Sequence, residues 1–229
     1  MKTKTILYFF LVLIFSMNTL HSQDWAKLNF YQTQNSELPI LNSKDNNRVV
    51  FMGNSITEHW LKQRPDFFNS KKYINRGISG QTTPQMLLRF RQDVINLKPQ
   101  VVVILAGIND IAENTGKYSL EATSGNIFSM CELAKQNNIK VIICSVLPAF
   151  DFPWRHGLEP AQKVIELNNT LKSYAKTNKL FYVDYYSPMV NDQLGLQDQL
   201  GTDGVHPNEA GYAIMEPIIE AAILKTLKK

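Results

Sequence analysis

Residues 48–57 read RVVFMGNSIT, an apolar run followed by a turn and a hydroxyl residue. The run at 49–52 has no polar residue at alternate positions, which is typical of a parallel strand that is buried on both faces. Gly53 and Asn54 favour a turn, and Ser55 follows them directly. The stretch therefore predicts a buried strand with a serine at its carboxyl end.

Similar apolar runs recur along the rest of the chain. They lie at residues 73–75, 101–106, 141–144 and 180–183, and the first of these is the weakest. Between the runs, apolar residues recur every three or four positions, which predicts helices. A last helical pattern begins near Pro207, and we expect Pro217 to kink or interrupt it. This alternation predicts one α/β domain in which a parallel sheet has helices on both faces.

The composition of the 229 residues agrees with a folded globular domain. Hydrophobic residues make up 44% and charged residues 19%, which excludes disorder as the main state. The net charge of +4 is too weak and too scattered for nucleic-acid binding. The two cysteines, Cys131 and Cys144, cannot form a disulfide framework or a four-thiolate metal site. We expect two buried thiols, with a disulfide between them left open as the alternative.

Residues 1–22 have the pattern of a secretory signal peptide. Lys2 and Lys4 precede a ten-residue apolar run at 6–15, which is too short to span a bilayer, and Ser22 suits a cleavage position. This predicts an exported protein, periplasmic or extracellular, with no stable membrane insertion after cleavage; an uncleaved anchor is the alternative. Residues 23–47 are polar and irregular and form an N-terminal extension, so the domain covers 48–229.

Polar residues follow each predicted strand, at the edge where open parallel sheets bind their ligands. They are Gly53-Asn54-Ser55, Arg76-Gly77-Ile78-Ser79-Gly80, Gly107-Ile108-Asn109-Asp110, the loop 148–157, and Asp203-Gly204-Val205-His206-Pro207. Each piece alone also occurs as ordinary turn or helix-cap chemistry. Their order at successive strand ends predicts one shared site.

The residue types at this edge fit acyl transfer. The Ser55 hydroxyl needs a base to become a nucleophile, and His206 has the carboxylate of Asp203 three residues before it. The backbone N–H groups of Ser55 and Gly77 and the side-chain amide of Asn109 would be donors to a developing oxyanion. The predicted catalytic residues are therefore Ser55, Asp203 and His206.

These blocks resemble those of the SGNH, or GDSL, hydrolases from residue 48 to the C-terminus. The resemblance implies a flavodoxin-like three-layer α/β/α sandwich with five parallel strands. It assigns the nucleophile to Ser55, the oxyanion donors to Gly77 and Asn109, and the base to His206, with no cofactor. Members of that family hydrolyse carboxylic esters, among them acetylated sugars, lysophospholipids, short-chain aryl esters and some thioesters. Asn54 replaces the usual aspartate, which leaves the subfamily open. Thr57 excludes the Gly-x-Ser-x-Gly motif of ordinary α/β-hydrolases.

Trp154 and Arg155 lie after the fourth predicted strand, 141–144, and have two interpretations. They would stack on a sugar or pair with an anionic group, or else pack within their own loop. Together with Asn54 they are the candidate substrate-binding residues. His59 is interpreted as a solvated helix residue. A metal site built from Glu58, His59 and a distant histidine is conceivable, but we expect no metal.

The leading hypothesis is an exported serine esterase that removes short acyl groups, such as acetyl, from carbohydrate through an acyl-enzyme. Its partner would be a small-molecule or glycan ester. One alternative is a lysophospholipase or acyl thioesterase, which needs an apolar channel for a long chain. The other is a carbohydrate-binding protein that has kept the fold and lost catalysis.

Overall fold

Five parallel strands form one sheet in the order β2-β1-β3-β4-β5 in the computed structural model, which describes residues 24–39, 47–71 and 73–228. The strands are β1 (Val49–Gly53), β2 (Ile74–Gly77), β3 (Val101–Leu105), β4 (Lys140–Cys144) and β5 (Phe181–Val183). Every residue of β1 and β3 is buried, because these central strands are covered on both faces. The predicted parallel sheet is confirmed. The predicted signal peptide lies outside the described residues.

Helices cover the sheet on both faces. They are α1 (Gln32–Glu37), α2 (Ser55–Gln63), α3 (Pro65–Asn69), α4 (Thr83–Asp93), α5 (Ile108–Ile111), α6 (Leu120–Gln136), α7 (Pro160–Thr177), α8 (Tyr186–Met189) and α9 (Glu209–Lys228), with short 3-10 turns at Ile95–Leu97 and Asp198–Leu200. In the sheet, β2 lies on one side of β1, and β3, β4 and β5 follow in order on the other side. Right-handed crossovers therefore place α2 on the opposite face from α4, α6 and α7, which contact one another in series. The three-layer α/β/α sandwich is confirmed.

An aromatic cluster joins α2 and α9 on the first face. Trp60 is 1% exposed, and its ring stacks between Phe67, at a centroid distance of 5.2 Å, and Tyr212, at 5.3 Å. Phe51 of β1 meets the edge of Trp60 at 5.8 Å. Trp60 is therefore part of the core that fixes α2 against the sheet.

The described part of the N-terminal extension is ordered against the domain, so the expectation of an irregular stretch was wrong for it. This N-terminal segment, residues 24–39, includes α1 and a buried Tyr31. The Tyr31 hydroxyl donates to the Gly77 carbonyl at 2.5 Å, and the Gln81 side chain donates to the Ala26 carbonyl at 2.7 Å. The segment's polar sequence reflects its attachment, which depends largely on hydrogen bonds.

The C-terminal helix α9 runs through Pro217 without a break, so the expected interruption does not occur. Proline leaves the carbonyl four residues earlier without its helical donor, and that carbonyl belongs to Ala213. Both Pro217 and Ala213 are exposed, so water can hydrogen-bond to this carbonyl. Cys131 and Cys144 are both buried free thiols, as expected. Within the described ranges, no helix is long and apolar enough to cross a membrane.

A buried arginine of α4 ties two strand ends together. Arg89 is fully buried, and its guanidinium donates to the carbonyls of Gly53, at 2.9 Å, and Arg76, at 3.0 Å. It also donates to the side chains of Gln81, at 2.5 Å, and Asp93, at 2.9 Å. All four partners are themselves buried. The cation thus gives two buried carbonyls at the strand ends a further donor, in addition to the Ile78 N–H that reaches the Gly53 carbonyl at 3.2 Å.

The Asp93 carboxylate extends this network to the N-terminal segment. The Asn35 amide donates to Asp93 at 2.8 Å and accepts from the Arg76 guanidinium at 2.9 and 2.7 Å. Arg76 in turn lies over the Tyr31 ring, 4.5 Å from its centroid. The network therefore links α4, β2 and α1.

We predict that Arg89→Met lowers the free energy of unfolding by about 3–5 kcal/mol, because Asp93 would remain as a buried charge without its partner. Urea denaturation would measure this loss. Arg91→Met, on the exposed side of the same helix, is the control and should change stability by about 0.5 kcal/mol or less. Equal effects of the two substitutions would contradict the anchoring role of Arg89.

Candidate active site

Ser55 lies at the junction of β1 and α2. It is the first residue of the helix, so its N–H has no intrahelical acceptor. Asn54 immediately precedes it, is 1% exposed, and accepts from the Ile56 N–H through its side-chain oxygen at 3.4 Å. The structure therefore places Asn54 as a buried cap of α2 and not on a surface that substrate can reach.

Ser55, His206 and Asp203 form a continuous chain of contacts. The Ser55 Oγ lies 2.9 Å from His206 Nε2, and His206 Nδ1 lies 2.7 Å from an Asp203 carboxylate oxygen. With the Nδ1 proton directed at the carboxylate, Nε2 is left to accept the serine proton. The three side chains that the sequence grouped together are thus brought together by the fold.

The Asp203 carboxylate is held in its ionised form. Burial alone would raise its pKa, but hydrogen bonds from the His206 backbone N–H, the His206 ring and the Val205 N–H lower it overall. The two backbone bonds measure 2.8 and 3.0 Å. The same residue therefore orients the imidazole and remains available to stabilise an imidazolium.

His59 of α2 packs against His206. Its ring centroid is 5.4 Å from that of His206, and the residue is half-buried, so it is only partly solvated. Its pKa is lowered by burial first and by the neighbouring His206 next. A histidine four residues after the serine on the same helix was the available signal. The described residues hold no group of three potential metal ligands, and Glu58 is bonded to Lys62 and Ser79.

Gly77 does not supply the oxyanion donor that the sequence suggested. Its N–H lies within β2 and donates to the side chain of Asn75 at 2.9 Å, so it is not available to a ligand. The residue serves close packing instead. A Cβ built there would lie 2.2 Å from the Glu58 N atom of α2. Gly77 therefore lets the helix that carries Ser55 approach the sheet.

Gly80 is the glycine with a free N–H at this strand end. It is exposed, adopts the left-handed conformation at φ +81°, and its N–H finds no acceptor among the described residues. The next residue, Gln81, is joined to the segment that follows β3, because its carbonyl accepts from the Asn109 amide at 2.9 Å. Sequence reasoning passed over Gly80, although the turn Ser79-Gly80 was visible.

Asn109 comes from the end of β3. Gly107, at φ +120°, turns the chain, and Asn109 follows on α5, 5% exposed. Its amide nitrogen uses one proton for the Gln81 carbonyl and retains a second. Asp110 points elsewhere: it accepts from the Thr83 N–H and hydroxyl, at 3.0 and 2.6 Å, and so caps α4. Burial raises the pKa of Asp110 to about 6, against the effect of these bonds.

The loop after β4 brings one of its two candidate residues to the site. The Trp154 ring is 5.9 Å from His206, 48% exposed, and rests on buried Phe152. The Arg155 guanidinium instead donates to the carbonyls of Ala112 and Glu113, at 3.1 and 2.7 Å, and pairs with the Glu113 carboxylate at 3.0 Å. The structure therefore places Arg155 as a tether of the loop and not as a substrate contact.

The sandwich and the Ser–His–Asp contacts at its strand ends are those of the SGNH, or GDSL, class of hydrolases. Residues 51–214 match the GDSL-like Lipase/Acylhydrolase family, and the chain belongs to that family. Its domain is that of a carboxylic ester hydrolase.

Three relatives are similar to this chain. A crystal structure of a GDSL-like lipase from Bacteroides thetaiotaomicron VPI-5482 is 55% identical, with a TM-score of 0.85, over 87% of this chain and 98% of that one. A second crystal structure, assigned as an acylhydrolase from Bacteroides fragilis NCTC 9343, is also 55% identical, with a TM-score of 0.88, over 90% and 99%. An acetylxylan esterase from Xylanibacter ruminicola is 28% identical over 77% of this chain and 43% of that protein. The chain thus spans less than half the length of this curated relative.

We predict that alanine destabilises the protein at two glycines of this region and stabilises it at a third, control position. Gly77→Ala should lower the free energy of unfolding by about 1–3 kcal/mol through overpacking. Gly80→Ala has open space around it but should cost about 1–2 kcal/mol through its left-handed backbone. Gly125→Ala, in the interior of α6 and also with open space, should stabilise by about 0.5–1 kcal/mol.

Urea denaturation of the three variants checks these signs. A stable, wild-type-like Gly77→Ala protein would contradict the close approach of α2 to β2.

Proposed function

We propose that this protein is a serine esterase that hydrolyses carboxylic esters through an acyl-enzyme, with no cofactor. The observation that carries the proposal is the contact chain from Ser55 Oγ through His206 to Asp203, at 2.9 and 2.7 Å. A serine hydroxyl is a weak nucleophile until a neighbouring base takes its proton, and this geometry supplies the base.

In the first half of the reaction, Ser55 Oγ attacks the ester carbonyl while His206 Nε2 takes its proton. Asp203 stabilises the resulting imidazolium. The tetrahedral oxyanion is stabilised by the Ser55 N–H, the Gly80 N–H and the remaining amide proton of Asn109. His206 then returns the proton to the departing alkoxide, and the alcohol leaves.

In the second half, water replaces the serine hydroxyl as the nucleophile. His206 takes a proton from the water as it attacks the acyl carbonyl, and the same three donors stabilise the oxyanion. Collapse of this intermediate breaks the bond to Ser55 Oγ, which regains its proton from His206. The products are a carboxylic acid and the free enzyme.

We further propose that the protein is exported and that its substrates are small-molecule or glycan esters with short acyl groups, such as acetyl. The leader pattern of residues 1–22 supports export. Likeness to an acetylxylan esterase supports acetyl groups on carbohydrate. Hydrolysis of lysophospholipids or long-chain thioesters is the competing substrate class, and the following experiment separates the two.

The test is kcat/KM on p-nitrophenyl esters from acetate to palmitate. We expect a maximum at acetate, and Ser55→Ala should abolish turnover because it removes the nucleophile. Ser173→Ala, which alters an exposed serine on α7, is the matched control and should retain wild-type rates. A maximum at long chains would favour lipid or thioester substrates. Hydrolysis that survives in Ser55→Ala would overturn the mechanism.

The pH dependence of kcat/KM on the acetate ester gives a second prediction. A general base accepts a proton only in its neutral form, so activity should be full on the alkaline side of the profile and fall in acid. The carboxyl of Asp203, whose pKa is lowered, stays ionised near neutral pH. A flat profile would contradict a histidine base.

A further inference from the structure

A groove of about 310 Å³ opens beside the catalytic carboxylate. Asp203 lines the groove and is also the carboxylate that binds the His206 ring. The opposite walls come from the loop after β4, with Phe150 and Asp151, and from the turn after α8, with Gln193 and Gly195. We call this space the side groove. The groove therefore adjoins the proposed catalytic residues through Asp203, which holds the His206 ring at 2.7 Å.

The walls of the side groove are fixed by packing and hydrogen bonds. A Cβ on Gly195 would lie 3.0 Å from Phe150, so the two loops touch. The side chain of Asn191 accepts from the N–H groups of Gln193 and Gly195, both at 2.9 Å. The groove is therefore largely preformed, which reduces the entropic cost of binding.

One exposed aromatic ring lines this groove, and a second lies beside His206, the partner of the groove residue Asp203. Phe150 in its wall is 59% exposed, and Trp154 above His206 is 48% exposed. Trp154 is held in place because it stacks on Phe152, at a centroid distance of 5.4 Å. Exposed aromatic faces next to a reactive centre provide apolar surface for a ligand to cover.

The polar groups in the groove are acceptors and amides. Asp198 and the Gln193 amide form no hydrogen bond through their side chains within the described part of the chain, and both are exposed. The basic residue in the lining is His156, and it is already paired with Asp151 at 2.6 Å. No lysine or arginine lines the groove among the residues described. An anionic phosphate group would therefore meet like charge and find no cation.

We propose that the side groove binds a neutral sugar ring on the alcohol side of the ester, an inference that rests on the proposed esterase function. Apolar C–H faces of the ring pack on Trp154 and Phe150. Hydroxyl groups donate to Asp198 and bond with the Gln193 amide. This arrangement selects uncharged glycan esters over phospholipids by the chemistry of the leaving group, and not by the length of the acyl chain.

The first test compares acetylated xylo-oligosaccharide with p-nitrophenyl acetate. We expect Trp154→Ala and Gln193→Ala each to lower the ratio of kcat/KM on the sugar ester to kcat/KM on the aryl ester by about tenfold or more. Leu88→Ala, a 59% exposed apolar residue on α4, is the control and should leave the ratio unchanged. An unchanged ratio in both groove variants would overturn the proposal.

The second test measures binding without turnover. Calorimetry on the Ser55→Ala protein with xylotetraose should show binding that Trp154→Ala in the same background weakens by about tenfold or more. Absence of binding to Ser55→Ala would overturn the groove assignment. Absence of Ser55-dependent hydrolysis of either ester, with binding retained, would overturn the esterase function alone. The two failures are thus distinguishable.

Discussion

The buried guanidinium of Arg89 is the interaction on which the active-site edge of the sheet depends. Parallel strands end in carbonyls that need donors, and the edge where they end is also where a ligand must enter. Arg89 donates to the carbonyl of Gly53, the last residue of β1, at 2.9 Å, and to that of Arg76, the penultimate residue of β2, at 3.0 Å. It also holds Gln81, whose carbonyl receives the Asn109 amide. One side chain thus sets the positions of three strand ends relative to one another.

The groups proposed to act in catalysis are placed on this frame by local features of the chain. Ser55 is fixed because β1 turns directly into α2, and because Gly77 allows that helix to lie against β2 without a clash. His206 is fixed by Asp203, which binds both its ring and its backbone. The core of the sandwich is apolar and buried, whereas Trp154 is left half exposed above the histidine. Rigid positioning and substrate access are therefore provided by different layers of the molecule.

Sequence alone predicted the features that depend on neighbouring residues. The sheet follows from unbroken apolar runs, and the Asp203–His206 pair follows from a spacing of three. Sequence alone could not tell which glycine N–H is available to an oxyanion. The Gly77 N–H donates to the Asn75 side chain, whereas the Gly80 N–H has no acceptor among the described residues. The burial of Arg89 could not be predicted, because the carbonyls of Gly53 and Arg76 that it binds lie 36 and 13 residues away. The N-terminal segment looked irregular because its attachment depends on hydrogen bonds rather than on an apolar pattern.

The attachment of the N-terminal segment has a consequence for the order of assembly. Tyr31 precedes its partner Gly77 by 46 residues, and Asn35 precedes Asp93 by 58. The N-terminal segment is synthesised before these partners, so it has nothing to bind until β2 and α4 have been made and have folded. It then binds residues on both sides of Gly80, the Gly77 carbonyl and the Gln81 side chain. Docking of this segment therefore requires that β2 and α4 are already in place.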